Sequence, residues 1–415
     1  MIQAVAERKV STETSAATER PEIELLLCCA RTQIDQVLRE RIKILVRQEF
    51  DWKYLIQIAS KHGMMSLLYQ SLSATFPEAV PQVILHQLRQ EFRRNALRNL
   101  SLSQELLKIL DLFAAADIPV LGFKGPVLTA MAYGDVSLRQ FSDLDILVSE
   151  SDVVRARDLL LSQDAKIRFH VIELTEVEES AFLQSQTVHK FVRESAYEFD
   201  CNQGKFILEL HWDVIPKYFC FPLEVEYLRE NLEPVSILGR TVSNLSPENT
   251  LLLLCAHGTK DCWDKLLRVC DIAQIVNSTQ VDWGRVIEQA KKRGGLRLLL
   301  HGLLLAHNLI GVSLPESAWK RIHKDPKVSA IATQAQKWLF CVPEERPGQV
   351  EQFFFHLQTK ERLRDQIRYV LNLALTPTCS DWALHPKSAF PLAYYYLLRP
   401  LRMLVKHGLK PVPKD

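Results

Sequence analysis

The sequence predicts an α/β protein in which a mixed β-sheet lies between two helical regions. Three observations support this fold class. Apolar residues recur at three- and four-residue spacing over roughly residues 23–115 and again from about residue 241 onward. Between these regions, short segments alternate apolar and polar residues, as half-buried strands do. The 415 residues are enough for two or three folding units with a sizeable core.

The composition is that of an ordinary globular protein, with 47% hydrophobic and 24% charged residues. Its 51 basic and 49 acidic residues give no overall electrostatic attraction to nucleic acid, which counts against a polynucleotide partner without excluding one. Nine cysteines, an odd number without a secretory leader, predict reduced thiols and a cytoplasmic protein. No apolar run approaches the ~20 residues needed to span a bilayer, so we expect no membrane span.

The N-terminal part divides into a tail and a helical region. Residues 1–22 are rich in Ser, Thr, Ala and Glu and predict a disordered tail rather than a signal peptide. Residues 23–115 predict helices, the last of them a long amphipathic helix from Val83 to Ala115. Its polar side carries four arginines, Arg89, Arg93, Arg94 and Arg98. They predict a solvated face, with a phosphate or nucleic-acid groove as the alternative.

The central region, residues 116–240, opens with a strand, a turn and a helix. Ile118 to Leu121 predicts a short strand, and an apolar helical run follows from Val127 to Tyr133. Proline suits the first position of a helix, as at Pro126, because its missing N–H is not needed there. Gly125 either permits the turn or lets a phosphate approach the backbone N–H groups at the helix start.

A second predicted strand carries Asp143 and Asp145. Leu144, Ile146 and Val148 alternate with them, so both carboxylates point to one face, about 7 Å apart along the strand. Side-by-side anions repel unless a cation lies between them, and carboxylates are ligands for divalent cations. The pair therefore predicts a metal site, against the alternative of two surface carboxylates.

A later strand, predicted from Lys205 to Val214, repeats this pattern. Ile207, Glu209, His211 and Asp213 fall on one face. Glu209 is the natural third carboxylate, with Asp213 as the competing position. His211 lies either near the metal or within the core as a hydrogen-bonded strand histidine. Residues 241–415 then predict a C-terminal helical domain, which includes a basic helix from Leu397 to Lys406.

The order of strand, glycine turn, helix, loop and Asp-x-Asp strand resembles the nucleotidyltransferase (DNA polymerase beta-like) superfamily. The segments KG, R and SDLDILV, followed later by ELHW, resemble in particular a family of uncharacterised bacterial nucleotidyltransferases. One departure stands out. Pro126 occupies the position where a Gly or Ser usually follows the first glycine, so a hydroxyl contact to phosphate is lost.

The resemblance implies a nucleotidyltransferase core between an N-terminal helical region and a C-terminal helical domain. It implies transfer of a nucleoside monophosphate from an NTP, with ATP expected, to a hydroxyl-bearing acceptor with release of pyrophosphate. Asp143, Asp145 and Glu209 would bind two Mg²⁺ (or Mn²⁺) ions, and Glu209 would also serve as base. The ELHW match favours Glu209 over Asp213.

The resemblance also implies a nucleotide-binding set, whose members are Lys124, Gly125, Arg139, Ser142 and His211. Each has a simpler structural alternative: Lys124 as a solvated lysine, and Arg139 and Ser142 as residues that pack the loop. Asp271 matches the family's helical domain and either pairs with Lys260 or Arg268 or lines the cleft.

Two other function classes remain open from the sequence. One is a catalytically degenerate nucleotidyltransferase fold that binds nucleotide or a protein partner, and Pro126 is its best support. The other is a helical adaptor with an incidental core, which predicts no metal site. The acceptor, the base preference and the oligomeric state are not determined by the sequence.

Overall fold

The computed structural model describes residues 20–163, 165–168, 194–201 and 204–376, which form 16 α-helices and seven strands. Five of the strands form one mixed sheet and two form a hairpin. The predicted α/β fold class is therefore confirmed. Most of the predicted tail and the helix predicted from Leu397 to Lys406 lie outside the described residues.

The N-terminal helical region contains five helices. They are α1 (Pro21–Cys28), α2 (Gln36–Leu45), α3 (Trp52–Lys61), α4 (Met65–Thr75) and α5 (Gln82–Ala115). Aspartates begin two of them: the Asp35 carboxylate accepts from the N–H of Leu38, and that of Asp51 accepts from the N–H of Tyr54. Such caps satisfy N–H groups that have no partner within the helix. The long helix agrees with the prediction to within one residue.

The five-stranded sheet lies at the centre of the predicted core region. Its strands are β1 (Leu121–Gly122), β2 (Asp143–Leu147), β3 (Lys166–Arg168), β4 (Glu194–Cys201) and β5 (Gly204–His211), in the order β1-β2-β5-β4-β3. β2 and β5 are parallel, and the other neighbours are antiparallel. Helix α6 (Gly125–Ala132) lies between β1 and β2 in the chain, and α7 (Val153–Leu161) follows β2.

One face of this sheet is apolar and packs against helices α5 and α7. Its central strands contribute Leu144, Ile146, Leu208 and Leu210, which share a core with Leu106, Phe113, Ala156 and Leu160 of the helices. All these side chains are fully or almost fully buried. The alternation along β2 and β5 then directs the acidic residues to the opposite face.

After the sheet come a short helix, α8 (Val225–Arg229), and a hairpin that the sequence pattern did not predict. The hairpin consists of β6 (Leu232–Ile237) and β7 (Arg240–Leu245). Leu238 and Gly239 both have positive φ, 49° and 80°, as a two-residue hairpin turn with right-handed strand twist requires. The boundary predicted at residue 240 falls at the first residue of β7, and the division into domains stays a prediction.

Eight helices follow the hairpin. They are α9 (Pro247–Lys260), α10 (Leu266–Ser278), α11 (Trp283–Lys292), α12 (Leu296–Ile310), α13 (Glu316–Lys324), α14 (Pro326–Leu339), α15 (Gln349–Thr359) and α16 (Leu363–Leu375). Helix α12 is buried over most of its circumference, so the others pack around it. Among the described helices, none combines the length and the apolar character that crossing a bilayer would require.

A buried histidine in α12, His301, forms a hydrogen bond with the segment between α9 and α10. The indole N–H of Trp263 donates to His301 Nε2 at 3.1 Å, and His301 Nδ1 lies 2.8 Å from the carbonyl oxygen of Arg297. Because an indole can only donate and a carbonyl can only accept, His301 is neutral with its proton on Nδ1. Burial lowers the pKa of His301 to about 4, and the charges of Arg297 and Lys360 act in the same direction.

This arrangement predicts a loss of stability in acid. Between pH 6.5 and about 4 the unfolded chain takes up a proton at His301 and the folded chain does not, so the free energy of unfolding falls as the pH falls. We expect His301→Gln to make the fall between pH 7 and 5 smaller by about 2 kcal/mol in urea titrations. The exposed His323→Gln serves as control, and an equal slope in wild type and His301→Gln would contradict the assignment.

Candidate active site

The parallel pairing of β2 with β5 brings four ionisable side chains to one face of the sheet. In this register Asp145 lies opposite Glu209, and Leu147 lies opposite His211. Since side chains alternate along a strand, Asp143 and Asp145 share a face with Glu209 and His211. The sequence prediction that acids from two separate strands meet on one face agrees with this geometry.

Asp145, Glu209 and His211 form a close group of potential metal ligands. His211 Nε2 lies 3.2 Å from Asp145 Oδ1 and 3.3 Å from Glu209 Oε2. Within the described ranges, ligand atoms of these three residues all lie within 4.8 Å of one another. A cation with bonds of about 2.1 Å at right angles separates neighbouring donors by about 3.0 Å. The three donors therefore fit a divalent cation without a large rearrangement.

Lys124, at the start of α6, contributes a positive charge to the same face. Its Nζ lies 2.8 Å from Asp145 Oδ1. Burial alone would lower the pKa of Lys124, but the carboxylates of Asp145, Glu209 and Asp143 outweigh it and raise that pKa. Burial would likewise raise the pKa of Asp145, and here the charges and hydrogen bonds of Lys124 and His211 prevail and hold that pKa well below its ordinary value.

Asp143 lies at the edge of the group rather than within it. It is not among the three residues whose ligand atoms approach within 4.8 Å. Burial raises the pKa of Asp143, and the neighbouring carboxylates of Asp145 and Glu209 raise it further. Three carboxylates thus lie together around the ammonium group of Lys124 and the imidazole of His211, and the repulsion among them favours a cation. Metal binding by Asp143 itself stays a prediction.

Gly125 is needed where α6 begins because the backbone is left-handed there. Its φ is +48°, and a Cβ added at this position would lie 3.3 Å from the carbonyl oxygen of Asp143. Residues with a side chain rarely adopt such a φ. The turn therefore packs directly against the first residue of β2, which fixes the distance between Lys124 and the acidic strand.

Arg139 makes a buried ion pair with the C-terminal helical region. Its Nε donates to Asp271 Oδ1 at 2.7 Å and a terminal nitrogen donates to Oδ2 at 2.9 Å. The hydroxyl of Tyr133 also donates to Asp271, at 2.7 Å. Arg139 is 9% exposed and Asp271 3%. The predicted nucleotide contact of Arg139 is thus not what this geometry supports, because the guanidinium is engaged in a bidentate pair with α10.

The loop that contains Arg139 is held from its other side by α5. Asn95 donates to the carbonyl oxygen of Ser137 at 2.8 Å, and Asn99 donates to that of Arg139 at 2.7 Å. No sequence motif pointed to these asparagines. Their signal was the i, i+4 spacing of two amides on the buried face of an amphipathic helix. Ser142, predicted to bind nucleotide, is exposed, and its carbonyl accepts from Arg98 at 3.2 Å.

Asp213, the competitor of Glu209, lies beyond the end of β5. It lines a cavity of about 330 Å³ together with Glu150, Lys217 and other residues near the end of the strand. Glu209, in contrast, is the direct neighbour of Asp145 across the strand pair. The geometry therefore supports Glu209 as the third acid of the site.

The profile of a family described as "uncharacterised nucleotidyltransferase" matches residues 48–311, more than half of the chain. The chain belongs to this family. The match includes α5, the five-stranded sheet, the hairpin and the helices through α12. All the candidate site residues, from Lys124 to Asp271, therefore lie within it. Searches among curated proteins and among solved structures gave no match.

The contact of Gly125 with Asp143 predicts the effect of two alanine substitutions. Gly134 also has a positive φ, +71°, but nothing lies within 4 Å of a Cβ added there. We expect Gly134→Ala to lower the free energy of unfolding by about 1 kcal/mol, because of the strained φ alone. Gly125→Ala should lower it by about 1 kcal/mol more than Gly134→Ala does, because the added Cβ also crowds the carbonyl oxygen of Asp143. Urea titration of both variants tests this, and equal losses would show that the contact is unimportant.

The buried pair of Arg139 and Asp271 predicts a large effect from loss of one charge. Asp271→Asn leaves the guanidinium buried without its counter-charge, and we expect the free energy of unfolding to fall by about 3 kcal/mol or more. Asp264→Asn, which disturbs an exposed pair with Arg268, is the matched control and should cost under about 1 kcal/mol. Similar losses in urea titrations of the two variants would refute a special role for the buried pair.

Proposed function

We propose that this protein is a metal-dependent nucleotidyltransferase that moves a nucleoside monophosphate from an NTP, ATP in the first instance, to a hydroxyl-bearing acceptor. The observation that carries the proposal is the register of β2 and β5, which sets Asp145 beside Glu209 on the face that also bears Asp143. Membership in the nucleotidyltransferase family supports the same reaction class.

In this proposal, Asp143, Asp145 and Glu209 hold Mg²⁺ or Mn²⁺. When bound, the cation neutralises charge on the triphosphate and on the acceptor oxygen. Asp145 is almost completely buried, so it would hold the cation rather than contact the acceptor. The side chain of Glu209 is 20% exposed and can reach a substrate.

The reaction needs one bond to form and one to break. The acceptor oxygen attacks the α-phosphorus, and the bond between that phosphorus and the oxygen bridging to the β-phosphate breaks, so pyrophosphate leaves. Glu209 accepts the proton of the acceptor hydroxyl. Lys124 neutralises part of the charge near Asp145 and donates to the triphosphate. We keep Gly125 and Ser142 as proposed nucleotide contacts, and we assign Arg139 the role of positioning the loop that leads into β2.

The acceptor is proposed only by its reacting group, a hydroxyl, on either a small molecule or a macromolecule.

The described cysteines are free thiols, and most of them are buried. This agrees with the proposed cytoplasmic location, where thiols remain reduced.

A second candidate function is that of a catalytically degenerate nucleotidyltransferase fold, which binds nucleotide or a protein partner without transfer. It is favoured by the start of α6, where Pro126 has no N–H and the N–H of Val127 donates to the carbonyl oxygen of Lys124. Two of the first three positions of that helix therefore offer no free N–H to a phosphate. Calorimetric titration with ATP in the presence and absence of Mg²⁺ separates the two functions: a non-catalytic binder takes ATP without Mg²⁺ and transfers nothing.

The proposal predicts that Asp145→Asn abolishes transfer. The amide retains the shape of the carboxylate but loses its charge, and we expect the rate of Mg²⁺-dependent transfer from labelled NTP to fall by about 10³-fold or more. Asp143 and Glu209 remain as counter-charges for Lys124, so the fold should persist. The assay uses host lysate as the source of acceptor and records which pool acquires label.

The control for this experiment is Asp158→Asn, which removes an exposed carboxylate of α7. It should transfer at the wild-type rate, and circular dichroism should show that both variants are folded. Undiminished transfer by a folded Asp145→Asn variant would remove the proposed mechanism.

A further inference from the structure

We propose that His211 is itself a ligand of the cation, through Nε2, and that this nitrogen makes the site prefer Mn²⁺ over Mg²⁺. The inference rests on the metal site of the proposed function and adds a ligand and an ion preference to it. It concerns binding of the metal alone and so can be tested without substrate.

The position of His211 is fixed by its surroundings. The residue is 2% exposed, and its ring meets the ring of Phe123 edge to face, with centroids 5.2 Å apart and planes at 84°. Phe123 is itself 1% exposed, so the imidazole has no room to swing to solvent. Its Nε2 therefore stays between the carboxylates of Asp145 and Glu209.

The strand geometry places this nitrogen where a ligand is needed. Glu209 and His211 are two residues apart on β5 and share a face, and Asp145 lies beside Glu209 on β2. Distances of 3.2 and 3.3 Å from Nε2 to the two oxygens are close to the separation of neighbouring ligands around one divalent cation. A cation that binds both carboxylates thus lies within reach of the imidazole as well.

The donor set of two carboxylates and one imidazole determines which ion it suits. Mg²⁺ takes oxygen ligands in a near-ideal octahedron and parts with water reluctantly. Mn²⁺ shares the preference of Mg²⁺ for carboxylate and water oxygens, but as an ion of the first transition row it bonds to imidazole nitrogen more readily than Mg²⁺ does. Of the two ions proposed for this site, Mn²⁺ is therefore the one that satisfies all three donors and still accepts the oxygens of a triphosphate.

The decisive experiment detects the nitrogen directly. Metal-free full-length protein is loaded with substoichiometric MnCl₂, and pulsed electron paramagnetic resonance records the coupling of Mn²⁺ to ligand nitrogen. We expect ¹⁴N coupling in the wild type, replacement by ¹⁵N coupling when the histidines are labelled with ¹⁵N, and loss of nitrogen coupling in His211→Gln. The exposed His323→Gln, in α13, should retain the coupling and so controls for binding to surface imidazoles.

Calorimetric titrations with MnCl₂ and MgCl₂ alone test the ion preference. Wild type should bind Mn²⁺ at least about 10-fold more tightly than Mg²⁺. His211→Gln should weaken Mn²⁺ binding by about 10- to 100-fold and Mg²⁺ binding by less than about 3-fold, because glutamine offers an oxygen but no imidazole nitrogen.

The outcomes separate this inference from the proposed function. Absence of nitrogen coupling in Mn²⁺-loaded wild type, or its persistence in His211→Gln, overturns the inference, and Mg²⁺-dependent nucleotide transfer would still support the function. If the nitrogen coupling depends on His211 but the protein transfers no nucleotide, His211 is supported as a metal ligand and the proposed nucleotidyltransferase function is contradicted. If His211→Gln fails to fold, His211→Asn takes its place, and retention of the nitrogen coupling in that folded variant overturns the inference.

Discussion

The parallel pairing of β2 with β5 is the constraint on which the rest of the structure depends. Its register sets Asp145 against Glu209 and, with the alternation of side chains, gathers four ionisable groups on one face while Leu144 and Leu208 are buried on the other. A shift of the register by one residue would exchange the two faces. The buried apolar residues therefore fix the position of the acids, and the stability of the core maintains the geometry of the site.

Two further sets of contacts hold this face in place against the helical regions. Asn95 and Asn99 bind carbonyl groups of the loop before β2, and Arg139 of the same loop pairs with Asp271 in α10. A buried ion pair contributes little net stability compared with apolar packing, but it is costly to break and strongly directional. Its effect here is to fix how the loop runs between α5 and the C-terminal helices.

The charges of the site are unbalanced in a way that fits its proposed chemistry. Three carboxylates lie around Lys124 and His211, and the raised pKa of Asp143 reflects burial together with repulsion from Asp145 and Glu209. A cation relieves this repulsion, and a triphosphate then brings the negative charge that the cation requires. Gly125 makes the arrangement possible because its left-handed backbone brings Lys124 close to the start of β2.

By itself, the sequence determined the strand that carries Asp143 and Asp145, the ELHW strand and the long helix α5, because local periodicity and turn residues specify such elements. It did not determine the partner of Arg139, since Asp271 lies 132 residues away and no local pattern encodes that pairing. The hairpin of β6 and β7 escaped prediction because its residues are mostly exposed and lack a clear alternation. Whether His211 serves the core or the site was likewise left open. Only the tertiary structure decided where its Nε2 lies, because the register of two strands far apart in the chain places this nitrogen 3.2 Å from a carboxylate oxygen of Asp145 and 3.3 Å from one of Glu209.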